Sequence, residues 1–165
     1  MKYSTSIPKR CSSFVLRRMM PVVAIAAIAY PAVAQRAANF GVITLSSSSQ
    51  AQGQTRGHTQ GSVPLASITR QDSQGNMCVG FAESEPDHVL RANQNLGAIA
   101  VRVDSNGGDT TLLVQAANGT TWCGDDAAGS TDARVQINNL SSGDYRVWVG
   151  SFDPGVRYQY RLHIN

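Results

Sequence analysis

The stretch "DTTLLVQAANGTTWCGDD", residues 109–126, decides the fold. It opens on an acid, runs through five apolar or small residues, and turns at Asn118-Gly119. Asn-Gly between two apolar runs is a strong short-range hairpin signal, because both central residues of the tight turn need positive φ. The stretch therefore reads as a strand, a turn and a second strand ending at Trp122-Cys123. Its close on Asp125-Asp126 is a reactive site, a metal site or a pinned corner of a β-fold.

Working outward, the same period continues on both sides. "GAIAVRVD" (97–104) sets Ile99, Val101 and Val103 on one face, and "ARVQI" (133–137) does the same with Val135 and Ile137. "DYRVWVG" (144–150) alternates Tyr145, Val147 and Val149 against Arg146 and Trp148. "YQYRLHI" (158–164) alternates its aromatic and aliphatic residues against Gln159, Arg161 and His163. Period two marks half-buried strands, since successive side chains leave opposite faces. "SVPLASIT" (62–69), "MCVGFA" (77–82) and "HVLRA" (88–92) are further short runs, separated by turn-prone segments. A short strand also fits "GVITL" (41–45). No stretch after residue 34 has a helical period. About eight short strands with Gly, Asn, Asp and Pro turns predict an all-β, antiparallel sandwich over residues 62–165.

Two segments precede it. Residues 1–34 carry Lys2, Lys9, Arg10, Arg17 and Arg18 with no acid, then an apolar run from Met19 to Tyr30, then Pro-Ala-Val-Ala. A basic start, a short apolar stretch and a small-x-small end make a secretory signal peptide with cleavage after Ala34. The apolar run is shorter than the ~20 residues a spanning helix needs, so no membrane span is expected in the mature form. Residues 35–61, including "SSSSQAQGQTRGHTQG" (46–61), form a flexible polar arm or a long loop by composition.

Cleavage changes the charge. The 165-residue chain has 14 basic residues, 11 acids and a formal net charge of +3. Without the leader it has nine arginines, no lysine and 11 acids, a net of −2. That removes the electrostatic footprint of a nucleic-acid-binding protein. Cys11 leaves with the leader, and Cys78 and Cys123 remain. An even pair in an exported chain reads as a disulfide, worth roughly 4 kcal/mol for so long a loop. The rival is a reactive thiol, which an oxidising compartment disfavours.

The quoted stretch, with "LSSGDYRVWVGSFDPGVRYQYRLHI" (140–164), resembles the bacterial pre-peptidase C-terminal domain. The matching residues are Asp109 with Leu112 to Val114, then Gly143, Tyr145, Val147 and Val149. "CVGFAESEPDHVL" (78–90) resembles a variant of exported proteins in which a Cys strand, a Pro-Asp-His turn and a Trp-Cys-x-Asp-Asp corner occur together. The resemblance covers residues 70–165. It implies a jelly-roll-like β-sandwich acting as a non-catalytic module. Such domains accompany secreted peptidases, and relatives in bacterial collagenases bind collagen and calcium. The 165 residues here hold no peptidase domain, which departs from that setting.

Candidate chemistry is sparse. Asp109, Asp125, Asp126 and Asp132 fall within one hairpin-length region and offer the hard oxygens that calcium takes. Against this, Asp is common at turns because its carboxylate accepts nearby backbone N–H groups, so Cys123-Gly124-Asp125-Asp126 also reads as an architectural corner. Asp87-His88 with Ser84 resembles a catalytic triad only in composition, since neighbouring strand residues point apart. His58 and His163 make no zinc spacing. Trp148 and Arg146 share a face opposite Tyr145, Val147 and Val149. If the latter face is the core, Trp148 is an exposed ligand platform; otherwise it lies under the N-terminal segment, or the faces are reversed. These readings favour an exported, non-enzymatic binding or accessory module for a protein, peptide or glycan, periplasmic or secreted. A small secreted hydrolase, a peptidase-associated protein and a structural cell-envelope protein are the alternatives.

Overall fold

The computed structural model describes residues 1, 38–46 and 53–165. The signal-peptide and cleavage expectations, together with residues 35–37 and 47–52 of the polar segment, lie outside the described residues. Twelve strands alternate with turns: β1 Val42–Leu45, β2 Gly53–His58, β3 Val63–Pro64, β4 Phe81–Ala82, β5 His88–Ala92 and β6 Ile99–Asp104. They continue as β7 Thr110–Ala116, β8 Thr121–Gly124, β9 Asp126–Ala127, β10 Ser130–Ile137, β11 Gly143–Ser151 and β12 Gln159–Ile164. Among the described residues one 3-10 turn, Leu65–Ser67, follows β3. No helix among the described residues is long and apolar enough to cross a membrane.

The strands form two sheets. In the larger, β11 is central. It pairs with β7 along Tyr145–Ser151 on one side, and with β5 and then β4 on the other. The outer strands are β8 beyond β7, β1 beyond β5 and β3 beyond β4. The smaller sheet runs β2-β12-β6-β10-β9. All pairings are antiparallel except β1 with β5. The expected sandwich is present, with more strands than the eight read from the sequence, because several are two-residue pieces at sheet corners.

Period-two alternation places the core between the sheets. Leu90, Leu112, Val114, Val147 and Val149 from the larger sheet meet Val101, Val135, Leu162 and Ile164 from the smaller. Each of these is nearly or fully buried. Complete burial of one such side chain contributes about 1.5–3 kcal/mol. The hairpin expected at Asn118-Gly119 is present, but its turn is longer than the tight one: Gly119 N–H donates to Ala116 O at 3.0 Å, Ala116 N–H to Thr120 O at 2.9 Å, and Gly119 but not Asn118 has positive φ.

Two expectations need correction. The polar segment is not simply an arm. "GQTRGH" is β2, an edge strand paired in register with β12 from Gly53↔Ile164 to His58↔Gln159. Its inward positions are small because the space is already filled: a Cβ on Gly57 would stand 2.3 Å from the Tyr160 hydroxyl. "SVPLASIT" and "MCVGFA" are mostly not strands. Residues 62–82 instead run across the outer face of the larger sheet. Leu65, Ile68, Cys78 and Ala82 there build a second, smaller core with Leu113, Cys123 and Trp148.

Candidate functional site

The geometry of the Cys123–Asp126 corner follows from a crossing between sheets. Strand β8 belongs to the larger sheet, with Leu112↔Gly124 as its last pair. Two residues later β9 belongs to the smaller, with Asp126 opposite Ala133 of β10. The crossing is tight at Gly124, where a Cβ would lie 2.1 Å from the Arg134 carbonyl oxygen. The next residue is tied to that neighbour, since Arg134 N–H donates to Asp125 O at 3.3 Å. Asp109 directly precedes β7 and so returns beside the same corner.

One carboxylate oxygen from each of Asp109, Asp125 and Asp126 lies within 4.8 Å of the others. Asp109 Oδ1 and Asp125 Oδ1 are both shut off from solvent and have no hydrogen-bond partner among the described residues. Burial, then the neighbouring Asp126 and Asp153 charges, raises the Asp109 pKa above the ordinary carboxylate value. Burial, then Asp126 and Asp109, does the same for Asp125. Buried acceptors without donors, in a like-charged group, are costly unless a proton or cation joins them.

The fourth expected ligand is elsewhere. Asp132 Oδ1 accepts from Ser105 N–H at 2.9 Å and from the Ser105 hydroxyl, holding the turn that follows β6. It is not one of the three clustered acids. The architectural role expected of Asp125 or Asp126 falls instead to Asp72, which the sequence reading passed over. Asp72 Oδ1 accepts from Gln74 and Asn76 N–H, both at 2.8 Å. Its Oδ2 accepts from Asn76 Nδ2 at 2.9 Å and from Cys123 N–H at 3.0 Å. Burial alone would raise its pKa, but these four bonds outweigh it and the net shift is downward. The "QDSQGN" composition marked a turn; nothing local told that its acid would reach Cys123.

Cys78 and Cys123 are bonded, with Cα atoms 5.2 Å apart. The bond clips the 62–82 segment onto the outer face of the larger sheet. Beneath it Trp148, Leu113 and Cys123 stand in one cross-strand row. Trp148 is therefore not a ligand platform: it is 3% exposed, and its Nε1 donates to Ser84 O at 3.5 Å. The alternation correctly put it opposite the main core, but alternation cannot tell solvent from a covering loop. Arg146 is exposed, 5.6 Å from the Trp148 ring centre, and donates to Gln115 Oε1 at 2.6 Å. It closes the edge of this covered patch.

The Asp87-His88 pair forms no triad with Ser84. Asp87 Oδ2 accepts from Val149 N–H at 2.8 Å, and Asp87 Oδ1 from Asn39 Nδ2 at 3.4 Å. His88 Nε2 lies 2.9 Å from the Tyr160 hydroxyl. Both residues join β5 to the rest of the sandwich. His58 stacks edge-on against Phe40 at 4.9 Å, far from His163 in the sheet register.

No protein-family model matches the chain, and no curated protein matches it. Among solved structures the chain is similar to the pre-peptidase C-terminal domain of a collagenase from Bacillus anthracis. The identity is 13% and the TM-score 0.43, over 75% of this chain and 94% of that one.

Proposed function

We propose that this chain is an exported, non-catalytic accessory module of the pre-peptidase C-terminal type, which binds a protein, peptide or glycan outside the cytoplasm and holds a hard divalent cation, calcium, at its acidic corner. The observation that carries the reading is the pair of orphaned oxygens. Asp109 Oδ1 and Asp125 Oδ1 are buried without a donor, beside Asp126 and within the spacing that oxygens around one calcium ion adopt. The fit is one of chemistry as well as distance, since three carboxylates are hard, anionic ligands. Asp109, Asp125 and Asp126 would hold the ion, whose charge would offset their mutual repulsion. Because Asp109 enters β7 while Asp125 and Asp126 carry the crossing from β8 to β9, these residues would then tie the two sheets together. The Cys78–Cys123 bond fits an oxidising compartment, which supports export.

Thermal melts with millimolar calcium and with chelator test the cation. A ligand that binds only the folded chain raises stability by about 2.7 kcal/mol at a hundredfold excess over Kd. For a domain of this size that is a rise in Tm of several degrees. The rise is expected to disappear in Asp125→Ala. An unchanged Tm in the wild type, or an equal rise in Asp125→Ala, overturns the assignment.

A further inference from the structure

The outer face of the smaller sheet is unlike the rest of the molecule. Four of the nine arginines outside the leader stand on it: Arg56 on β2, Arg161 on β12, Arg102 on β6 and Arg134 on β10. They are placed in like-charged pairs. Arg161 is directly opposite Arg56, and Arg134 directly opposite Arg102. Like charges facing each other across a ladder destabilise a sheet. Two acids share the outward positions of these four strands: Asp104, 3.9 Å from Arg161 and 4.0 Å from His163, and Asp132, two residues before Arg134, whose carboxylate accepts from Ser105. A chain that is net acidic without its leader thus concentrates cationic charge where it is locally unfavourable. Two hollows open on this face. One of about 230 Å³ lies between Arg56, Asp104 and Arg161, and one of about 240 Å³ between Gln54, Arg102 and His163.

We propose that this face binds a linear acidic polysaccharide, through its sugar carboxylate or sulfate groups. The inference rests on the binding-module reading and names its surface and ligand. Guanidinium groups pair bidentately with carboxylates and sulfates, and the repulsion within each Arg pair is relieved when an anion sits between them. Adjacent strands are ~4.8 Å apart, so the two pairs present anion sites at intervals along a flat surface. Between them Gln54, Gln136 and Gln159 are exposed and offer amide donors and acceptors to sugar hydroxyls. A membrane surface fits less well. The large exposed apolar side chains among the described residues are Met1, Val42, Met77 and Phe152, none on these strands, so nothing there inserts into lipid. Single-stranded nucleic acid also fits less well. Tyr160 is the one Phe, Tyr or Trp of these four strands and it is buried, which leaves bases only the partly covered rings of His58 and His163.

The test is binding of the full mature chain to polygalacturonate, by calorimetry in chelator so that calcium bridging between carboxylates does not contribute. Affinity is expected to fall with salt, and Arg102→Gln/Arg134→Gln to weaken it about tenfold or more with a shallower salt slope. Arg56→Gln probes the other pair independently and is expected to weaken binding too. Arg91→Gln, which removes the same charge from the other sheet, is expected to leave it unchanged. Neutral dextran is expected not to bind. No binding to polygalacturonate or to its sulfated form, or equal binding by all three variants, overturns the proposal. Tighter binding to phosphatidylglycerol vesicles or to oligothymidylate overturns it in favour of those classes. Calcium melts on the same samples separate the two readings: a chain that keeps its calcium response and ignores the polysaccharide refutes this face alone.

Discussion

Asp87 and His88 are adjacent in the chain, yet each is buried and bonded to a different strand. Asp87 Oδ2 receives the Val149 N–H of β11, and His88 Nε2 meets the Tyr160 hydroxyl of β12. Since β11 and β12 belong to opposite sheets, two consecutive residues at the start of β5, the one before it and its first, connect both layers.

They also titrate in opposing senses. Burial, only partly offset by the Val149 and Asn39 bonds, pushes the Asp87 carboxyl up from 3.8 to about 7. The folded chain keeps a proton that the unfolded chain releases, so this contribution is present at low pH and is lost as pH rises towards 7. Burial pushes His88 down from 6.5 to about 4. Here the unfolded chain takes a proton that the folded chain refuses, so stability is lost as pH falls from 6.5 to 4. The two oppose each other across that window. Asp87→Asn, which keeps an acceptor for Val149, is expected to unmask the histidine, so that Tm falls more steeply than wild type between pH 6.5 and 4.5. His88→Gln is expected to do the reverse. Parallel Tm–pH profiles for both variants and wild type contradict the assignment.

The disulfide spans 45 residues and closes the second core. Its removal in Cys78→Ala/Cys123→Ala is expected to cost about 4 kcal/mol in urea unfolding. The loss is expected to loosen residues 62–82 first, which acrylamide quenching of tryptophan fluorescence would report through Trp148. Unchanged quenching and an unchanged midpoint contradict this.

Trp148→Ala is expected to cost about 3–5 kcal/mol, the usual range for truncating a buried aromatic. Trp122, half-exposed beside Tyr145 at 6.2 Å, is expected to cost distinctly less. Equal costs would mean that the 62–82 segment does not cover Trp148 in solution.

Gly57→Ala is expected to destabilise by about 1–3 kcal/mol, because its Cβ would displace the Tyr160 ring and with it the bond to His88. Denaturant melts decide this, and a neutral result would mean that β2 is not held against β12.

Intact-mass analysis of exported protein is expected to show a chain beginning at Gln35. A mass that retains residues 1–34 contradicts export with cleavage.

Much of this fold was readable because its signals are local. Strands β5 and β7 fall on the very residues that alternation and turn chemistry mark, and β6, β10, β11 and β12 differ only at their ends. Strand β2 escaped because its inward positions are Gly53, Thr55 and Gly57, small residues chosen by Tyr160 and Ile164 across the ladder, which leave no apolar signal. For the candidate site, the aspartates were visible as a group, and three of four converge. Which three depends on a crossing that only Gly124 permits, and Asp132 went to Ser105 across 27 residues. The basic face was invisible because its arginines come from four separate strands, each carrying one.

The ladder between β2 and β12 joins Gly53 to Ile164 and His58 to Gln159, residues at opposite ends of the described sandwich. Strand β12 also fills the gap between β2 and β6. Until that final segment exists, the smaller sheet lacks an interior strand and β2 has no partner. Closing so long a loop costs chain entropy before any contact offsets it, and such non-local pairing folds slowly. A chain emerging from the ribosome therefore cannot complete this sheet before residues 159–164 are made.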